Sequence, residues 1–162
     1  MTASNTYGRQ VVVPLTNKSG GGVIKGDVCV IDTTNNDAFT TSTAGAFLGL
    51  IGIAEETIAS NATGRVLTAG YAALVNVNAS VTRGNFGKTH TVAKQATDAG
   101  SSRVTGGFCQ FLTGGTTPDA HLFGLADGSS ASGNVATDAI WDAAGDLAVG
   151  TGANTAARLA SG

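Results

Sequence analysis

Apolar residues in this chain come in short runs, not in long periodic stretches. Gln10–Leu15 (QVVVPL), Val28–Ile31 (VCVI), Leu48–Ala54 (LGLIGIA), Phe108–Leu112 (FCQFL) and Ala120–Leu125 (AHLFGL) are four to seven residues each, rich in β-branched and aromatic side chains. Runs of this length bounded by turn residues predict β-strands. Arg65–Thr68 and Tyr71–Val77 read as two further strands around Ala69-Gly70. In the second, Tyr71, Ala73, Val75 and Val77 alternate with Ala72, Leu74 and Asn76, the two-residue period of a pleated strand. The Thr-rich stretch Ala38–Thr43 is expected to be extended, and His90–Ala93 to be a weak strand. Glu55–Ser60 fits a helical turn or a strand extension. Pro14 marks the first run as an edge strand or a strand end, because proline cannot donate to a ladder.

Between these runs lies turn chemistry: Asn17–Gly22, Asp32–Asp37, Asn61–Gly64, Ala79–Asn85, Thr97–Ser102 and Gly114–Asp119. No amphipathic helical pattern of useful length occurs in residues 1–125. About eight short strands at near-regular spacing predict an all-β fold, a small barrel or sandwich, with a C-terminal extension. The expected organisation is an N-terminal arm (1–9), a β-domain (10–126), a linker (127–133, DGSSASG) and a C-terminal segment (134–162) that holds the one Trp.

Composition narrows the function classes. Of 162 residues, 24 are Gly, 12 % are charged and 6 % are aromatic, and the net charge is −2. Low hydrophobicity with high charge would mean disorder, and this chain has neither. Two Glu and four Lys are too few for a coiled coil. The absence of a basic balance argues against a nucleic-acid partner. The N-terminus lacks a basic start followed by an apolar run, so no secretory leader is expected. The longest weakly polar stretch, Ala44–Ala54, is too short to span a bilayer, and no membrane partner is expected. The apolar supply is mostly Ala and Val, so each buried side chain contributes little, and a thin core helped by oligomerisation is expected.

The residues that carry chemistry are sparse. His90 and His121 stand alone in strand patterns, where a structural or exposed role is the ordinary one. The glycine clusters at 20–22 and 114–115 lack the lysine and hydroxyl of a phosphate loop. Asp32 and Asp37 flank a Thr/Asn loop that could hold a cation or simply be a solvated turn. Asn61-Ala-Thr63 matches a glycosylation sequon, which has meaning only in a secretory pathway. Cys29 and Cys109 are expected to be buried free thiols, with a disulfide as the other reading. No acid, base or nucleophile set converges, so no enzyme activity and no cofactor or metal are expected.

Two segments resemble known families. The order Gly26-Asp-Val28, Leu50–Ala54, Gly64-Arg-Val-Leu67, Gly70–Val75, Val81–Asn85 and Leu122–Leu125 is similar to that of the capsid decoration (cement) proteins of tailed bacteriophages. The stretch Trp141–Leu159 (WDAAGDLAVGTGANTAARL) resembles a segment recurring in phage tail-fibre and other virion surface proteins. The first resemblance implies an all-β virion protein, made in the host bacterial cytoplasm. It would bind the major capsid protein on the shell exterior as a homotrimer. The second leaves open a head- or tail-fibre component that contacts the host surface.

The candidate interface residues are Tyr7 and Arg9 in the arm, Val11 and Val13 in the first strand, and Trp141, Leu147, Val149 and Leu159 in the C-terminal segment. An unpaired edge strand can add to a neighbour's sheet, and Tyr and Arg are interface-prone types. The arm has a second reading, a start without a partner. Leu147–Val149 is expected to be a short strand between the turns Asp142–Asp146 and Gly150–Asn154. An isolated hairpin is marginal, so these apolar side chains must pack on the same chain or on other subunits.

Overall fold

The computed structural model of the chain describes residues 9–45, 47, 49–123, 147–152 and 155–159. All the regular structure described is β. Nine strands form the first unit: β1 (Val11–Asn17), β2 (Val28–Ile31), β3 (Ala38–Thr40), β4 (Ile51–Ala54), β5 (Thr63–Ala72), β6 (Phe86–Thr89), β7 (Ala96–Asp98), β8 (Gly107–Phe111) and β9 (Ala120–Leu122). Their order is β1-β3-β2-β4-β5-β9-β8-β6-β7, and β1 also pairs with β5. That extra pairing closes β1, β3, β2, β4 and β5 into a five-stranded barrel. The remaining strands continue from the far end of β5 as a second sheet.

β5 is the shared member. Its first half pairs with β1 and β4, and its last three residues pair with β9. Alternation along a strand sends successive side chains to opposite faces, and β5 uses both. Val66 packs into the barrel interior with Leu15, Val23, Cys29, Phe39, Ala54 and Ile58. Leu67 packs on the other side, in a cluster with Val28, Val30, Ile51 and Ile53 from the barrel wall and Phe108, Cys109, Phe111 and Leu122 from the second sheet. The second sheet therefore covers one outer side of the barrel, and buried apolar residues line both faces of the shared wall. Three phenylalanines, Phe39, Phe108 and Phe111, are the largest side chains without solvent access.

Phe108 reaches the core through a bulge. Gly87 pairs with Cys109 and Lys88 with Gly107, which leaves Phe108 as the additional residue on β8. A bulge turns two neighbouring side chains toward one face, and Phe108 and Cys109 are both buried.

The all-β expectation holds, with local differences. Residues 65–72 are one strand, not two. Gly70 keeps it continuous at φ +104°, a backbone conformation that other residues avoid. The alternation expected over Tyr71–Val77 ends at Ala72, and Val75 is buried in the connection that follows. His90–Ala93 is a turn between β6 and β7. There His90 Nδ1 accepts the Val92 N–H at 3.0 Å, so the strands lie on either side of it. Glu55–Ser60 is neither helix nor strand, and Ile58 bridges to Val23 across one end of the barrel.

The chain divides into two compact units, Met1–Ser129 and Ser130–Gly162. In the second unit, β10 (Leu147–Gly152) and β11 (Thr155–Leu159) form an antiparallel hairpin. The expected linker lies outside the described residues.

Candidate interaction surface

The first strand has one long neighbour. β5 pairs with it from Val11 to Thr16, whereas β3 reaches only Thr16 and Asn17. Along Val11–Leu15 the second edge of β1 has no strand partner among the described residues. Pro14 sits in this stretch, and its missing N–H costs no ladder bond on an open edge. The strand is thus anchored on one side and open on the other. Val13 packs against the barrel cluster, and Val11 is 48 % exposed.

The start of β1 is held in place. The register shifts between Val11 and Val12, leaving Thr68 as the additional residue on β5. The Thr68 hydroxyl donates to the Val11 carbonyl at 3.1 Å and takes over from the interrupted ladder. Just before it, Arg9 and Gln10 lie on Gly70. A Cβ there would sit 3.0 Å from both the Arg9 carbonyl oxygen and Gln10 Cα. The Gln10 amide donates to the Tyr71 carbonyl at 2.7 Å. Arg9 is exposed. Tyr7 lies outside the described residues.

An open cleft of about 340 Å³ lies over β4, β5 and the residues that follow β5, with Gln10 at its margin. Its floor is Ile53, Leu67 and Ala72, and its rim includes Gln10, Lys25 and Arg65. That size is in the range of ligand sites. Arg65 pairs with Glu55 at 2.9 Å, and Glu56 accepts the Arg65 backbone N–H at 2.9 Å. An exposed pair of this kind contributes about 0–1 kcal/mol. Lys25 has no ion-pair partner among the described residues. Sequence reasoning named Gln10 only as the start of the first strand and did not single out Lys25 or Tyr71 for a site, because strand pairing assembles the cleft from positions up to 64 residues apart.

The other chemistry-bearing residues serve local structure. Asp32 accepts the N–H groups of Thr34 and Asn35 and the Asn35 amide. These bonds hold its carboxyl below the usual carboxylate range. The loop is a self-satisfied turn, with Asp37 at φ +49° closing it. Cys29 and Cys109 are free and buried. Burial, with the charge of Asp27 second, pushes the Cys29 thiol up to about 12, and burial drives Cys109 the same way. Among the described residues no group of three His, Cys, Asp or Glu is placed to hold a metal ion.

In the second unit, the register sets Leu147 against Leu159 and Val149 against Ala157. β10 runs through Gly152, beyond the turn expected at Gly150. Trp141 lies outside the described residues. No protein-family model matches the chain, and no curated protein matches it.

Proposed function

We propose that this chain is a virion structural protein that binds the exterior of a phage capsid and stabilises the shell. The observation that carries the reading is the open edge of β1 over Val11–Leu15, continuous with the exposed Arg9–Gln10 start. A rigid barrel that presents one unpaired strand edge is suited to strand addition, in which main-chain hydrogen bonds supply affinity and alternate side chains supply specificity. The major capsid protein is the proposed partner, and a homotrimer the proposed assembly. The order of glycine-centred motifs shared with decoration proteins supports this choice. Stabilisation follows from mass action: a protein that binds only the assembled shell favours that state by RT ln(1 + [L]/Kd), about 2.7 kcal/mol per site at a hundredfold excess over Kd.

A head- or tail-fibre component touching the host surface is the second reading, favoured by the resemblance of Trp141–Leu159 to fibre segments. Heating the phage shell with and without the protein separates the two. Decoration predicts shells that survive higher temperature when the protein is bound. Identical melting contradicts it.

A further inference from the structure

Each backbone group along the open edge of β1 has a defined direction. Asn17 sends its N–H to the Ala62 carbonyl on the β5 side at 2.9 Å, and Thr16 sends its N–H to the Asp37 carbonyl on the β3 side at 2.8 Å. Main-chain groups alternate in direction along a strand. Val13 and Leu15 therefore point to β5 with Asn17, and Val12 and Pro14 point the other way with Thr16. On that side no strand runs along Val11–Leu15 among the described residues. Gln10 precedes the strand, and its side chain turns back to the Tyr71 carbonyl. The free edge of the strand thus presents the Val12 N–H, the Val12 carbonyl and the Pro14 carbonyl. Proline has no N–H to present.

An open edge is a template for any other chain, and charged side chains are a common guard against that. Val11–Leu15 (VVVPL) carries none, and the nearest charges along the chain are Arg9 and Lys18. Pro14 is the guard that remains. Two copies meeting edge to edge close as an antiparallel pair about a two-fold axis. Val12 opposite the partner's Pro14 overlaps the whole stretch. Each of these two pairs would exchange an N–H to carbonyl bond both ways, and Pro14 removes one bond from each, leaving two of four. Val12 opposite Val12 also makes two, over a shorter overlap, and Pro14 opposite Pro14 brings two carbonyls together. A strand of another sequence, with all its N–H groups, makes three bonds: two at Val12 and one to the Pro14 carbonyl.

We propose that Pro14 keeps the β1 edges of separate copies from pairing and reserves this edge for a strand of another sequence, set opposite Val12. The exposed side chain of Pro14 and its place on the side away from β5 mean that a residue with an N–H fits there without breaking a ladder bond. The inference rests on the open edge of β1 and not on the capsid as its partner.

The test combines amide hydrogen exchange with sedimentation of the full chain over a wide concentration range. In the wild type the Val12 N–H is expected to exchange much faster than those of Val13 and Leu15. Pro14→Val is expected to strengthen pairing between copies at least about tenfold and to protect the Val12 N–H as the pairs form. Pro14→Ala repeats the comparison without a β-branched side chain, and thermal melts of both variants report that the fold is kept. Slow Val12 exchange in the wild type would overturn this inference together with the open edge it rests on. Fast Val12 exchange, with the folded variants sedimenting as the wild type, would overturn this inference alone. New association that leaves the Val12 N–H unprotected would overturn it too, because the contact would then lie elsewhere.

Discussion

Asn17 holds the Ile58 carbonyl from inside the barrel, Nδ2 to O at 3.0 Å, with its own side chain wholly buried. The same amide reaches the Gly21 carbonyl at 2.8 Å, and its oxygen accepts the Ser19 N–H at 3.0 Å and hydroxyl at 2.7 Å. One side chain thus ties the end of β1 to the two loops that close this end of the barrel. Asn17→Ala removes these bonds and leaves several backbone groups unsatisfied, at about 1–3 kcal/mol for each buried one. We expect a loss of about 3 kcal/mol, read as a lower urea midpoint with an unchanged slope.

The two halves of the first unit are joined by Asp27 and Asn76. The Asn76 amide donates to Asp27 Oδ1 at 2.6 Å, while Oδ2 accepts the Ile24 N–H at 2.9 Å. A hydrogen bond to a buried charged group contributes about 1.5–3 kcal/mol. Asn76→Ala is expected to cost about 2 kcal/mol. In a double-mutant cycle with Asp27→Asn the coupling is expected to exceed about 1 kcal/mol; additive losses would mean that the contact does not join the halves.

Gly52, on β4, is packed against β5. A Cβ there would meet Val66 Cγ1 at 2.5 Å and the Leu67 carbonyl oxygen at 2.8 Å. The second of these is backbone and cannot swing away. Gly52→Ala is expected to destabilise by about 2 kcal/mol through overpacking. Gly21→Ala, with nothing within 4 Å of the added atom, is expected to change stability by less than about 0.5 kcal/mol. Thermal melts of the two variants make the comparison.

Stability is expected to fall at both pH extremes. The unfolded Cys29 thiol ionises near 9.0, but burial and then Asp27 hold the folded one near 12. Unfolded chains lose this proton first, so stability declines as pH rises from 9 toward 12. Cys29→Ala should flatten that decline. On the acid side, burial works against the Asp98 carboxylate, but the N–H groups of Thr82 and Gly100 and the Asn85 amide outweigh it and keep its pKa low. Its contribution is present above the ordinary carboxylate pKa of about 4 and is lost as pH falls below it. Asp98→Asn should remove this acid dependence. Both limbs are read from denaturation midpoints against pH.

Strand positions were legible where burial is one-sided or complete. Val28–Ile31 carries its signal in consecutive apolar residues because both of its faces are covered, one by the barrel interior and one by the second sheet. β6, Phe-Gly-Lys-Thr, escaped notice because its two inward positions are Gly87 and Thr89, neither of them a large apolar residue; at Gly87 the Cys109 and Phe111 side chains fill the space a Cβ would take. β7 escaped because only Ala96 of its three residues is buried. The closure of β1 on β5 joins residues about fifty apart, which no local pattern encodes. The candidate surface was legible in part: the open edge of β1 agrees with the edge proline Pro14, whereas the cleft that brings Lys25 to Tyr71 exists only through long-range register.

The central claim is that this chain coats a phage capsid, and a density map of the particle tests it most directly. The account predicts the barrel on the capsid exterior, with the Val11–Leu15 edge of β1 paired to a strand of a neighbouring subunit. Density on the tail alone, or on the shell with that edge facing solvent, would contradict it.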